Sequence, residues 1–158
     1  MKNYIYTIIF FIVFQGCRSQ NIRNHNFIYH TADYDLGVIY EERIYDSSTG
    51  LYEYKEYANH DVIKNIKFHI KFSQEDLEAI YKLYVSSDLP MIDCYFENNA
   101  IAHRSTLTFN SKNDNFKEME CIKNGENPIV TKIENKIETH ITSSEVYKTN
   151  FYWEFYKK

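Results

Sequence analysis

Val62-Ile63-Lys64-Asn65-Ile66-Lys67-Phe68-His69-Ile70-Lys71-Phe72, followed at once by Ser73-Gln74-Glu75-Asp76-Leu77, is the stretch whose reading decides the fold. Val62, Ile66, Phe68, Ile70 and Phe72 share one parity, and Lys67, His69 and Lys71 hold the other. That is the period of a strand with one buried face. Ser73 to Asp76 then reads as a helix start of capping-box type, with acids in the first turn. Leu77, Ile80, Tyr81 and Tyr84 follow at helical spacing, so a helix is predicted to run to Ser86, and Pro90 stops any continuation. A period-two strand handing over directly to an amphipathic helix predicts a helix packed on a sheet.

Upstream, Val38 to Tyr45 reads as extended, Asp46-Ser47-Ser48-Thr49-Gly50 as a turn, and Leu51 to Tyr57 as extended again, which makes a hairpin. Downstream, Ile101 to Phe109 alternates, Asn110 to Asn115 forms a turn, and Phe116 to Ile122 returns as a second hairpin. Asn127-Pro128 opens a second helix, with Asn as N-cap and Pro at the first helical position. Val130, Ile133, Ile137 and Ile141 supply its apolar stripe. In the tail, Phe151, Trp153 and Phe155 alternate with their neighbours, and Asn150 to Tyr156 reads as a closing strand. The sum is an α+β domain, a mostly antiparallel sheet of roughly five to seven strands with two helices on one face.

The chain has 158 residues and a net charge of −4, which suits one domain with one core and argues against nucleic acid as a partner. Four glycines and two prolines leave neither a flexible linker nor a glycine-rich phosphate loop. Fifteen tyrosines and eleven phenylalanines favour strands, and they also leave open an aromatic surface for sugars or peptides.

Residues 1–17, MKNYIYTIIFFIVFQGC, carry a second signal. Lys2 precedes an apolar run from Tyr4 to Phe14 that is too short to span a bilayer and stops at Gln15-Gly16-Cys17. The layout resembles the signal peptide and lipobox of bacterial lipoproteins, and in its loose Phe14-Gln15-Gly16-Cys17 form it is similar to those of small Bacteroidota lipoproteins. The resemblance implies cleavage after residue 16 and a lipid on Cys17. It also implies a tether over 17–32, whose own residues read as polar and ending in a strand at Phe27-Ile28-Tyr29, a single α+β domain over 33–158, and attachment to the membrane through the lipid. Arg18, rather than Asp, stands after the cysteine and favours the outer membrane. The segment from Arg18 to Arg23 has no acid, which favours the leaflet facing the periplasm over surface exposure. With Cys17 so assigned, Cys94 and Cys121 are left as a candidate disulfide in an oxidising compartment, against two free buried thiols.

No zinc helix, nucleophile elbow or P-loop occurs in the chain, so no catalytic residue, metal ligand or cofactor is assigned. His30-x-x-Asp33-x-Asp35 is the one cluster with metal-ligand character, set against a solvated polar loop at the end of the tether. Glu41 and Glu42 are neighbours on a strand and point to opposite faces, so they do not form a carboxylate pair. Cys94 as a nucleophile partnered by His103 is disfavoured by Asp93 beside it. His103 shares the parity of Leu107 and Phe109, which predicts partial burial. With Arg104 and Tyr84 it is the candidate lining of a ligand pocket on the sheet. The first functional expectation is a non-catalytic, lipid-anchored envelope module that presents a sheet face or edge to a protein partner. An immunity-type inhibitor of an envelope toxin and a small-ligand carrier or enzyme are the rivals. A deep pocket around His103 favours the last, and an exposed aromatic strip near an unpaired edge favours the first.

Overall fold

The computed structural model describes residues 25–86, 92–98, 100–109 and 128–152. The strands are β1 (Phe27–Asp35), β2 (Val38–Asp46), β3 (Leu51–Ala58), β4 (Asp61–His69), β5 (Ile92–Glu97) and β6 (Ala100–Phe109). The helices are α1 (Gln74–Val85), α2 (Pro128–Ser143) and the short α3 (Glu145–Asn150). All strand pairings are antiparallel, in the order β4-β3-β2-β1-β6-β5, so the expected α+β architecture holds.

The sheet is three hairpins laid side by side, β3–β4, β1–β2 and β5–β6, and all three tips lie at one end. They repeat one another in detail. Each joins its strands through two residues, and each carries a bulge on the third residue of its second strand: Tyr40, Ile63 and Ala102. In each, an aromatic residue of the first strand faces a β-branched residue of the second: Tyr34 with Ile39, Tyr57 with Val62, Phe96 with Ile101. Leu36 and Gly37 have φ of 48° and 81°, and Asn59 and His60 have 51° and 71°, the doubly left-handed turn that matches strand twist.

One face of the sheet is covered by helices. Phe27, Tyr29, Tyr45, Tyr52, Tyr54, Phe68 and Leu107 point into that core and meet Leu77 and Ile80 of α1 and the α2 stripe Val130, Ile133, Ile137 and Ile141. The stripe is buried as its spacing required. Ser73 caps α1, its hydroxyl accepting from the Asp76 amide at 3.1 Å. Pro128 occupies the first position of α2, where its missing N–H costs nothing.

Three expectations change. The tether is shorter than residues 17–32: the strand read at its end, Phe27-Ile28-Tyr29, is the start of β1, which runs on to Asp35 and lies between β2 and β6 in the middle of the sheet. Its burial comes from alternating Phe27 and Tyr29, two residues whose parity continues through Thr31. The closing strand is replaced at its start by the end of α3. Ser144 caps that helix, and Tyr147 and Phe151, four residues apart, stack with ring centroids 4.5 Å apart. Phe151 is fully buried edge-on against Tyr54 at 5.0 Å, so its helical partner outweighs the alternation with residues further on. Residues 153–158 lie outside the described residues, as do the return strand expected at Phe116–Ile122 and Asn127. Finally, the bulge at Ile63 breaks the parity that grouped Val62 with Ile66 and Phe68, and Val62 is exposed.

Candidate functional site

Large apolar side chains crowd the hairpin end and stay in solvent. Leu36 is 91% exposed at the tip of β1–β2, and Ile63 is 60% exposed at the bulge of β4, with Val38, Tyr40 and Val62 exposed beside them. A leucine is a poor choice for a left-handed turn position, where Asn or Gly would be unstrained. Two of the exposed residues, Tyr40 and Ile63, are the inserted residues of their bulges. The fold thus spends local geometry on displaying them.

On the sheet face away from the helices, an open groove of about 350 Å³ is lined by Tyr34, Gly37, Val38, Ile39, Tyr57 and His60. It sits between the β1–β2 and β3–β4 hairpins. The paired residues Val62, Tyr57, Ile39, Tyr34, Ile101 and Phe96 mark an apolar row, half-buried except at the exposed Val62, that runs along this end from one sheet edge to the other. Tyr57 is fixed in that row by Glu42, whose Oε2 accepts from its hydroxyl at 2.8 Å. His30 Nε2 lies 2.9 Å from Glu42 Oε1 and Lys55 Nζ 3.2 Å from Oε2. These hydrogen bonds, that of His30 foremost, outweigh burial and hold the Glu42 carboxyl at about 2. An ionised carboxylate therefore braces the groove at any physiological pH.

Charge at the tips has one sign. Asp35, Asp61 and Glu97 each flank one of the three turns, the segments 35–38, 58–61 and 97–100 contain no lysine or arginine, and His60 is the one imidazole there. Among the described residues none of the three acids takes part in a salt bridge.

A second polar constellation lies on the other face, between the sheet and α2. His103 Nδ1 is 2.6 Å from Asp33 Oδ1, and Arg43 Nη1 donates to Asp33 Oδ2 at 3.2 Å. Arg43 also donates to Glu41, whose Oε2 accepts from the Tyr54 hydroxyl at 3.1 Å. Ser105 donates to Glu134 of α2, and Tyr29 engages Glu138 of the same helix. The hydrogen bond to Asp33 raises His103 above the usual histidine range. Burial alone would raise Asp33, but His103 and Arg43 outweigh it and pull that carboxyl down. Glu138 goes the other way, pushed up by burial against the opposing pull of Arg43. Each of these groups is engaged by a neighbour within the fold, and together they clamp α2 onto β1, β2 and β6. The cluster presents hydrogen-bonded ion pairs rather than an open nucleophile or ligand set.

The residues singled out from sequence are dispersed. His30 lies on the groove face and Asp33 on the helix face, because three positions apart on a strand means opposite faces, so with Asp35 near the tip they form no site. Among the described residues no group of three or more His, Cys, Asp or Glu side chains is placed to hold a metal ion. Glu41 and Glu42 do point to opposite faces. His103 is partly buried as expected, yet Arg104 is on the face opposite to it. Tyr84 packs on Phe109 at 4.4 Å at the other end of the sheet, so the three line no common pocket. Cys94, on β5, is disulfide-bonded, and Cys17 and Cys121 lie outside the described residues. Sequence reasoning missed the hairpin end. The available signal was the threefold recurrence of an aromatic residue followed five or so residues later by Ile or Val across a polar or Gly-containing turn. Comparison of the chain with protein families, curated proteins and solved structures finds no match.

Proposed function

We propose that the chain is a lipid-anchored cell-envelope module that binds a protein partner through the hairpin end of its sheet. The observation that carries the reading is the cluster of exposed apolar side chains there, headed by a strained, 91% exposed Leu36. Monomeric proteins rarely display contiguous apolar surface without a binding role. The N-terminal lipobox-like segment ending at Cys17 supports an address at the membrane, reached through the tether that precedes β1. No helix among the described residues is long and apolar enough to cross a membrane.

The test is photo-crosslinking of the full-length chain in its host, with the photoreactive residue p-benzoylphenylalanine placed at Leu36 or, as control, at the exposed Glu78 of α1. A protein adduct from Leu36 and none from Glu78 is expected in the membrane fraction, with Cys17→Ser abolishing it by releasing the chain. Equal yields at both positions, or none at Leu36, would sink the reading.

A further inference from the structure

We infer that α2 works as a pH-sensitive latch: a layer of charged groups holds one of its sides to the sheet, and mild alkali releases that side while the sheet stays folded. The inference is independent of the function proposed above.

The two sides of α2 are held differently. On the side facing α1, Lys136 Nζ pairs with Asp76 Oδ1 at 3.2 Å, and His140 Nε2 lies 3.3 Å from the Lys71 carbonyl oxygen. Between the sides runs the buried stripe from Val130 to Ile141. On the side over β6 and β1, the half-buried Glu134 and Glu138 meet the Ser105 hydroxyl and Tyr29. Thr31 stands between Arg43 and Ser105 in the same row of the sheet and is 1% exposed. Its hydroxyl is buried with no hydrogen-bond partner among the described residues. A polar layer that leaves a hydroxyl orphaned holds less firmly than apolar packing, so this is the seam at which the helix opens first.

The charges along that seam respond to pH in one direction. Facing Glu138 are Tyr29 and Asp33 of β1, Arg43 of β2 and His103 of β6. Arg43 in turn faces Glu41 on its own strand, Tyr52 of β3 and Tyr147 of α3. His103 faces Asp33, Arg43 and Glu134, with Tyr95 of β5 across the strand pair. Burial raises the Glu138 carboxyl, and the bond to Asp33 raises the His103 imidazole. Both groups therefore hold their protons in mild acid and release them as pH climbs. With both protonated, Arg43 and His103 stand against the three carboxylates of Asp33, Glu41 and Glu134. With both deprotonated, Arg43 alone stands against four. The layer under α2 becomes self-repelling, whereas the apolar stripe and the contacts to α1 lose nothing.

The experiment is hydrogen exchange, resolved by segment, on the full-length chain as its host makes it, with protection factors compared at pH 6 and pH 8.5. Protection of α2 is expected to fall about tenfold or more between the two, and that of β1 and β2 by less than about threefold. Glu138→Gln, which mimics the protonated acid, should match wild type at pH 6 and keep most of that protection at pH 8.5. His103→Gln should already loosen α2 at pH 6. Equal losses in α2 and the sheet would mean global unfolding and overturn the latch, as would α2 protection that ignores pH. A pH response of α2 that survives Glu138→Gln overturns it too. So does a Glu138→Gln chain less protected than wild type at pH 6, because the ionised carboxylate would then be the holding form.

Discussion

Gly50 and Ile70 hold each other by their backbones: the Ile70 amide donates to the Gly50 carbonyl at 2.8 Å, and a side chain on Gly50 would begin 2.7 Å from the Ile70 carbonyl oxygen. The contact fixes where β4 ends and therefore where α1 begins. Gly50 also has φ of 73°. Gly50→Ala is expected to destabilise the domain by about 2 kcal/mol or more, from the left-handed backbone and the collision together. Urea unfolding reads this directly, and a loss below about 0.5 kcal/mol would show the loop yields freely.

The same Ile70 carbonyl accepts from the Tyr45 hydroxyl at 2.9 Å in the core. Tyr45→Phe leaves the ring in place and removes the donor, at an expected cost of about 1–2 kcal/mol for a buried carbonyl stripped of a partner. A variant as stable as wild type would mean that water replaces the hydroxyl.

Glu138 folds into a site that favours its protonated form. Its carboxyl is raised by burial, so its contribution is stabilising below the unfolded value of 4.5 and is lost as pH rises through the folded value. Once ionised, the buried group works against the fold. Glu138→Gln is expected to raise stability at pH 7 by on the order of 1 kcal/mol and to change little at pH 4. Unfolding at both pH values distinguishes this from a general packing effect, which would appear at each.

His103 and Asp33 set the opposite ends of one pH window. The raised imidazole contributes fully below its unfolded value of 6.5 and stops contributing as pH rises through its folded value. The lowered carboxyl contributes above 3.8 and is lost as pH falls through its folded value. His103→Gln should therefore lose more stability at pH 5.5 than at pH 8.5. Denaturation midpoints at the two pH values measure the difference, and identical losses would show that the pair is not ionic.

Leu36 sits where its backbone is strained and its side chain buries nothing. Leu36→Asn suits the turn and is expected to stabilise the domain by roughly 0.5–1 kcal/mol while weakening partner capture. A gain in stability with capture intact would separate the turn from the binding surface.

Much of the fold was legible because its cues were local. The strand at Ile66 and Phe68, the Ser73 cap and the Val130–Ile141 stripe each follow from period and capping chemistry that neighbours did not overrule. What was missed depended on pairing. The turn at Leu36-Gly37 hides because leucine is an uncharacteristic first turn residue, so β1 is legible only over Phe27-Ile28-Tyr29 and not on to Asp35. The three bulges shift parity by one residue, which sequence alternation alone does not reveal, and they decide that Tyr40 and Ile63 face solvent. Phe151 was assigned to a strand because Tyr147, its stacking partner, lies four residues away, at a period not tested there. The charged cluster escaped for a similar reason. Asp33, Arg43, His103 and Glu138 come from four elements and meet only when the sheet closes under α2.

The strand that leads the chain into the fold is also the one held on both sides, and its two ends lie at opposite ends of the sheet. Phe27 opens β1 at the end far from the tips, and β1 runs about 30 Å to the turn at Leu36. A pull between the membrane and a partner gripped at the tips would travel lengthwise along β1. The hydrogen bonds to β2 and β6 stand perpendicular to that line, so they resist sliding together instead of opening one after another. Under the proposed function, the domain would carry tension between anchor and partner in shear across β1, without opening strand by strand.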